Sequence, residues 1–157
     1  MREYFERLFR HMVWADQRVL ELLAGIPEDG QPEPRRLLSH VLAAERVWLL
    51  RLRGEDSAVQ PVWPMYSLDE LRDLARRNRE GYARYLAELD DDAVSSEVEY
   101  RNTQGTGFRT AVSDILCQVF LHGSYHRGQI AALVRRAGQE PVATDFIVFS
   151  REAAPSS

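Results

Sequence analysis

Apolar residues recur along this chain with the rhythm of helices. From about Glu3 to Ala24, residues Phe5, Leu8, Phe9, Met12, Val19, Leu22 and Leu23 keep the i, i+3, i+4, i+7 spacing of one helix face. Gly25-Ile26-Pro27 ends that run. A second helix is predicted from near Pro34, a residue suited to the first helical position. Leu37, Leu38, Val41, Leu42, Val47, Trp48 and Leu52 form its apolar side, and Gly54 stops it. Ser67-Leu68-Asp69-Glu70 has the spacing of a capping box and opens a third helix. Leu71, Leu74, Tyr82, Tyr85, Leu86 and Leu89 carry it as far as Asp90-Asp91-Asp92. The fourth runs from about Thr110 to Ala137 through Ile115, Leu116, Val119, Phe120, Ile130, Leu133 and Val134, with Gly138 as its stop.

Two connections are long. Glu55 to Tyr66 carries two prolines and a tryptophan. Asp91 to Arg109 contains Glu97-Val98-Glu99-Tyr100 before a Gly-rich turn, which predicts a short hairpin between the third and fourth helices. Both connections are expected to border a functional cleft, because long loops in compact domains commonly carry function. The fold class that follows is all-α, a four-helix bundle with long connections. One domain is expected over residues 1–150, with residues 151–157 as a frayed tail. The segment Pro141–Phe149 is expected to pack back on the bundle. The spacing leaves the relative direction of the second and fourth helices open.

Composition narrows the chemistry. The chain has 157 residues, 45% of them hydrophobic and 28% charged, within the ordinary globular range. A net charge of −4 gives no basic face for a nucleic acid, so none is expected as a partner. All 20 basic residues are arginine. Without lysine there is no Schiff-base chemistry, no lysine general base and no Gly-Lys-Ser/Thr phosphate loop. Cys117 is the only cysteine, which excludes an intramolecular disulfide and suits a reducing cytoplasm. The N-terminal segment is charged every few residues, so no signal peptide is expected, and no apolar run is long enough for a membrane span.

Histidines carry the strongest chemical signal. His122 and His126 stand four apart in Phe-Leu-His-Gly-Ser-Tyr-His-Arg-Gly-Gln, and His40 lies upstream in Leu-Leu-Ser-His-Val-Leu-Ala-Ala-Glu. Positions i and i+4 are neighbours on one helix face. A facing helix can bring a third imidazole to the same ion. Three neutral ligands leave coordination positions free, as in catalytic rather than structural sites. Imidazole suits zinc, nickel, copper and iron alike. At about 100° per residue, Gln118 and His126 each lie about 40° from His122, and Gln129 about 20°. Gln118 and Gln129 are therefore either core polar groups or partners that orient an imidazole. Tyr125 is a packing residue that can also place a hydroxyl near the site.

Other residues read as structural. Cys117 lies about 140° from His122 and is expected to be a buried, apolar core residue. Glu45 lies about 140° from His40 and is expected to pair with an arginine. His11 sits on the edge of an apolar stripe and is expected to be partly buried. Asp145 is a candidate for capping or orienting a neighbour. Ser124 has no partner that makes it a nucleophile, and no carboxylate dyad is evident.

Several of these segments together resemble the DinB family, also called DinB/YfiT-like putative metalloenzymes. They are His40 in Leu-Leu-Ser-His-Val-Leu-Ala-Ala-Glu-Arg-Val-Trp, Tyr-His126-Arg-Gly-Gln-Ile preceded by His122, Trp14-Ala15-Asp16, and Gly138-x-x-Pro141-x-x-x-Asp145. Asp16 stands where the family often has Asn. The resemblance spans nearly the whole chain. It implies a four-helix bundle, often a homodimer, with zinc or nickel held by His40, His122 and His126. It also implies transfer chemistry with low-molecular-weight thiols such as bacillithiol or mycothiol. The leading expectation is thus a divalent-metal-dependent thiol S-transferase acting on electrophilic small molecules. A metal-dependent hydrolase is a close variant. A non-catalytic metal-binding stress-response protein or dimeric binding protein is the alternative from another class.

Overall fold

A computed structural model describes residues 1–27 and 32–153. The elements in order are α1 (Arg2–Ala24), α2 (Pro32–Leu52), α3 (Leu68–Glu88), α4 (Asp91–Ser95), β1 (Glu97–Arg101), β2 (Gly107–Ala111), α5 (Val112–Arg136) and α6 (Phe146–Glu152). The four long helices are those expected from the apolar spacing. Ser67 Oγ accepts from the Glu70 amide at 3.3 Å while Glu70 Oε2 accepts from the Ser67 amide at 2.8 Å, closing the capping box of α3. Asp90 caps the short α4, a turn that the Asp run had suggested only as a break. β1 and β2 pair antiparallel, with Tyr100 opposite Phe108. Gly105 supplies the positive φ that their turn requires.

Two apolar clusters fill the bundle. The first contains Phe5 and Met12 of α1, Leu49 and Leu52 of α2, Tyr82 and Leu86 of α3, and Val112 to Phe120 of α5. The second contains Val19 to Leu23, Leu38 and Leu42, Leu71 and Leu74, and Ile130 and Val134. Each cluster takes the start of some helices and the end of others, which settles direction. α1 and α5 run one way, α2 and α3 the other. At Gly81 of α3 a Cβ would overlap the Leu49 side chain, so glycine lets α2 and α3 pack closely.

A polar layer separates the clusters, with one residue from each long helix: Asp16, Glu45, Asn78 and Arg127, all buried. Arg127 Nη1 donates to Asp16 Oδ1 at 2.7 Å. Asn78 Nδ2 donates to Glu45 Oε2 at 3.1 Å and to the Leu42 carbonyl at 2.9 Å. Gly123 makes room for the arginine, since a Cβ there would meet Arg127 Nη1 at 2.7 Å. Burial, and then the neighbouring Asp16 carboxylate, hold the Glu45 carboxyl well above the usual range. With Glu45 neutral, the Arg127–Asp16 ion pair leaves the layer balanced in charge. The expected arginine partner for Glu45 is thus replaced by a neutral hydrogen-bonded layer.

The parallel course of α2 and α3 has a geometric consequence. α2 has 21 residues and ends in the first cluster, whereas α3 begins beside the second. The chain must return along the bundle by about 30 Å. Residues 53–67 make that return as an extended strap, well within the reach of about 15 extended residues. Arg51 Nε donates to Ser57 Oγ at 3.3 Å near one end, and the Tyr66 amide donates to Ser39 Oγ at 3.2 Å at the other.

The C-terminal segment packs back on α1, as expected. Phe146 and Phe149 contact the His11 ring. Residues Arg151 and Glu152, expected in a frayed tail, continue α6 instead. The reason is an anchor: Glu152 accepts from Trp14 Nε1 at 3.0 Å and pairs with Arg18 at 3.4 Å. Residues 154–157 of that tail lie outside the described residues. Among the described residues, no helix is long and apolar enough to cross a membrane.

Candidate metal centre

His40, His122 and His126 form a group in which one ring nitrogen from each lies within 4.8 Å of the others. Antiparallel packing of α2 against α5 brings them together. His122 Nε2 is 3.1 Å from both His40 Nε2 and His126 Nε2. Nitrogens bound about 2.0–2.1 Å from a zinc-like ion stand about 2.8–3.0 Å apart at octahedral angles and about 3.3–3.4 Å apart at tetrahedral ones. The two spacings to His122 fall in the window that these angles span.

Hydrogen bonding fixes which nitrogens carry protons. His40 Nδ1 lies 2.7 Å from the Val62 carbonyl, which only accepts, so Nδ1 is protonated and Nε2 presents a lone pair. His126 Nδ1 lies 2.7 Å from Gln129 Oε1 and reads the same way. His122 Nε2 faces both lone pairs and has at most one proton to offer. The point where the three Nε2 atoms meet suits a cation. A resident proton does not fill that role: burial, reinforced by His126 and His40, pushes His122 down to about 4, and burial also lowers His40. Three imidazoles whose Nε2 atoms converge are the donor set of a divalent metal site.

The strap completes the surroundings. Trp63 stacks on the His40 ring, with centroids 3.6 Å apart and planes 4° from parallel. The same strap residue pair thus grips His40 twice, through the Val62 carbonyl and the Trp63 face. Trp63 remains 54% exposed, and the Arg36 guanidinium lies over its ring at 5.8 Å. Of the two long connections expected at the mouth, the strap lies there. The hairpin packs elsewhere, with Tyr100 against Trp48 at 5.3 Å and beneath Arg51.

The remaining candidates fall in different places. Gln129 accepts from His126, in the orienting position. Tyr125 is 66% exposed and packs its ring edgewise on His126 at 5.1 Å. Gln118 is exposed and has no hydrogen bond to a histidine among the described residues. Cys117 is exposed, not buried as its phase had suggested. The core of α5 is centred on Gly123 and Ile130, and Cys117 lies about 130° from that centre. The histidines sit at the edge of the buried face, so the side opposite them is solvent. His11 is buried with Nε2 2.8 Å from the Thr144 carbonyl, and Asp145 occupies the N-cap position of α6. Ser124 Oγ accepts from Arg127 Nη2 at 3.3 Å, a structural contact.

Sequence reasoning did not assign roles to Val62, Trp63, Asn78 or Arg127. The Pro61-x-x-Pro64 frame around Val62 and Trp63 was the available signal for an extended, rigid strap.

The profile of the DinB family matches residues 1–156. This chain belongs to the DinB family. It is 25% identical over 162 residues to Protein DinB of Bacillus subtilis strain 168, covering 93% of each chain. Its fold is similar to that of a DinB-like protein from Bacillus cereus ATCC 10987, known from a crystal structure. The TM-score is 0.61 at 17% identity, over 87% of this chain and 94% of the other.

Proposed function

We propose that this DinB-family protein is a divalent-metal-dependent enzyme that joins a low-molecular-weight thiol to an electrophilic small molecule. The observation that carries the reading is the convergence of three imidazole Nε2 atoms. His40, His122 and His126 would hold the ion, zinc or nickel by their donor chemistry and the family resemblance. Among the described residues no cysteine or carboxylate joins the cluster. A three-ligand set favours an open, catalytic arrangement over a closed structural one.

The ion, when bound, favours the thiolate form of a thiol over the poorly nucleophilic thiol, whose ordinary pKa is about 8.5. The chain's own residues do the rest. The Val62 carbonyl and the Gln129 amide oxygen hold protons on Nδ1 of His40 and His126, which keeps both Nε2 atoms available. Trp63 fixes the plane of His40 and presents its exposed edge beside the site. Cys117 has no part, because burial and Asp114 raise its thiol and it sits on another face of α5. In the reaction the thiolate sulfur forms a bond to the electrophilic carbon, and the leaving group departs with the electron pair of the bond that breaks. A homodimer working on small molecules in the cytoplasm is the setting we assign to it.

The test is conjugation assayed with metal-loaded protein, a thiol panel that includes bacillithiol and mycothiol, and a set of alkyl halides and epoxides. Acceleration by wild type that disappears in His126→Ala, with the helical circular dichroism unchanged, supports the reading. Equal rates for the two proteins across the panel overturn it and leave a non-catalytic metal-binding protein as the better description.

A further inference from the structure

A second cleft lies between α1 and α3, away from the histidines. Its volume is about 200 Å³, and its lining includes three of the four polar-layer residues: Asp16, Glu45 and Asn78. Arg127, the layer's cation, is not among them. The walls are apolar, with Met12, Val13, Leu20, Leu42 and Ala75. At about 30 Å³ per water, the space holds about seven water-sized groups, enough for the body of a small amino acid whose carboxylate stays at the mouth.

The floor is short of hydrogen-bond donors. Asn78 spends its amide donor on Leu42 and Glu45, which fixes the amide orientation and leaves Oδ1 without a partner among the described residues. Glu45 Oε1 likewise finds no donor in its fixed surroundings. Both residues are at least nine-tenths buried, at 1% and 3% exposure. The layer sets two carboxyl groups against one guanidinium, and it stays balanced only while Glu45 keeps its proton, so a second cation would be needed to ionise it. The groups around Glu45 are Asp16 on α1, Asn78 and the Tyr82 hydroxyl on α3, and Arg127 on α5. Tyr82 donates to the Glu45 carbonyl and leaves its carboxyl alone.

The rim has the opposite character. Arg72, Arg76 and Arg79 stand along one face of α3 at the mouth. Arg72 pairs with Asp69, and Arg76 with Asp73 and Glu80. Arg79 has no ion-pair partner among the described residues.

We infer that the α1–α3 cleft binds a small zwitterion of the amino-acid class, with its ammonium on Asp16, Glu45 and Asn78 and its carboxylate on Arg79. The ammonium supplies the missing donors and that second cation together. Glu45 gives up its proton to solvent as the ligand enters, so the layer stays neutral throughout. Buried polar groups with unmet hydrogen bonds reward such a ligand far more than an apolar one.

Calorimetry on the full chain tests this with L-leucine, L-alanine and 3-methylbutan-1-amine as probes. Saturable binding of L-leucine below about 10 mM is expected. The heat should vary with the ionisation enthalpy of the buffer, reporting the released proton. Glu45→Gln should weaken binding at least about tenfold, through loss of a charged hydrogen bond. Ala75→Leu, which fills the cleft and leaves the polar layer intact, should abolish it. The amine should bind more weakly than L-leucine, and Arg79→Ala should remove the difference. His122→Ala should bind L-leucine as wild type does, because chelation by the histidine cluster is thereby excluded. Four results overturn the inference: no saturable binding of any probe, equal binding by the Ala75→Leu variant with native circular dichroism, equal affinity for amine and amino acid, or loss of binding in His122→Ala.

Discussion

Burial drives His122 and Glu45 toward the neutral form, but the two titrate in opposite senses. The folded pKa of His122 lies at about 4, below its ordinary 6.5. Its contribution to stability is present above 6.5 and is lost as the pH falls toward 4. Metal-free wild type should therefore lose urea stability across that window more steeply than His122→Ala. Parallel curves would refute the shift. For Glu45 the folded pKa is raised, so its contribution is full below the ordinary 4.5 and disappears as pH rises through the folded value. Glu45→Gln should gain on wild type as pH is raised from 5 to 9, and a pH-independent difference would show that Glu45 does not titrate. His122→Ala should also lose stoichiometric metal in elemental analysis. These histidines were legible because i, i+4 spacing and a third histidine on a second apolar helix are sequence properties. Cys117 and Gln118 were not, because helical phase gives angles between residues and not the direction of the core.

The strap shows what an element without periodicity hides. The capping box, the hairpin and the four long helices were all visible in spacing and turn chemistry. The path of residues 53–67 was not, because it depends on α2 and α3 being parallel, which is a property of packing. Its contribution to the site is measurable. Trp63→Ala should weaken metal binding by about 10–100-fold, the usual effect of removing a group that orients a ligand. Trp63→Phe should recover part of it by keeping an aromatic face on His40. Fluorescence titration of wild type with nickel provides the readout, since Trp63 stacks on a ligand ring. An unchanged affinity in Trp63→Ala would assign the strap to packing alone. At the α2–α3 contact, Gly81→Ala should cost about 1–3 kcal/mol in urea unfolding through overpacking against Leu49.

Across the whole molecule, the polar layer sets the register of the four helices. Sliding one helix by a turn would separate Arg127 from Asp16 and leave a charge buried alone. Arg127→Met should accordingly cost about 3–5 kcal/mol, the range for breaking a buried pair by removing one partner. Replacing Asp16 by Leu in the same protein should recover much of that loss. A double-mutant cycle on urea midpoints gives the coupling, and strict additivity would remove the pair from any role in register. The sequence placed Asp16 and Arg127 in notable motifs, yet their separation of 111 residues concealed the contact.

His40 and His122 are 82 residues apart in the chain but 3.1 Å apart in space. An ion shared between them is a crosslink. It fastens the first half of the protein to the second, and the unfolded chain must forgo the freedom of a very large loop to keep it. Occupancy should then be readable as heat resistance. Chelator added to metal-loaded protein should lower the unfolding midpoint, and His40→Ala should abolish that dependence although the His122–His126 pair survives. Metal supply, on this view, governs how long the protein lasts.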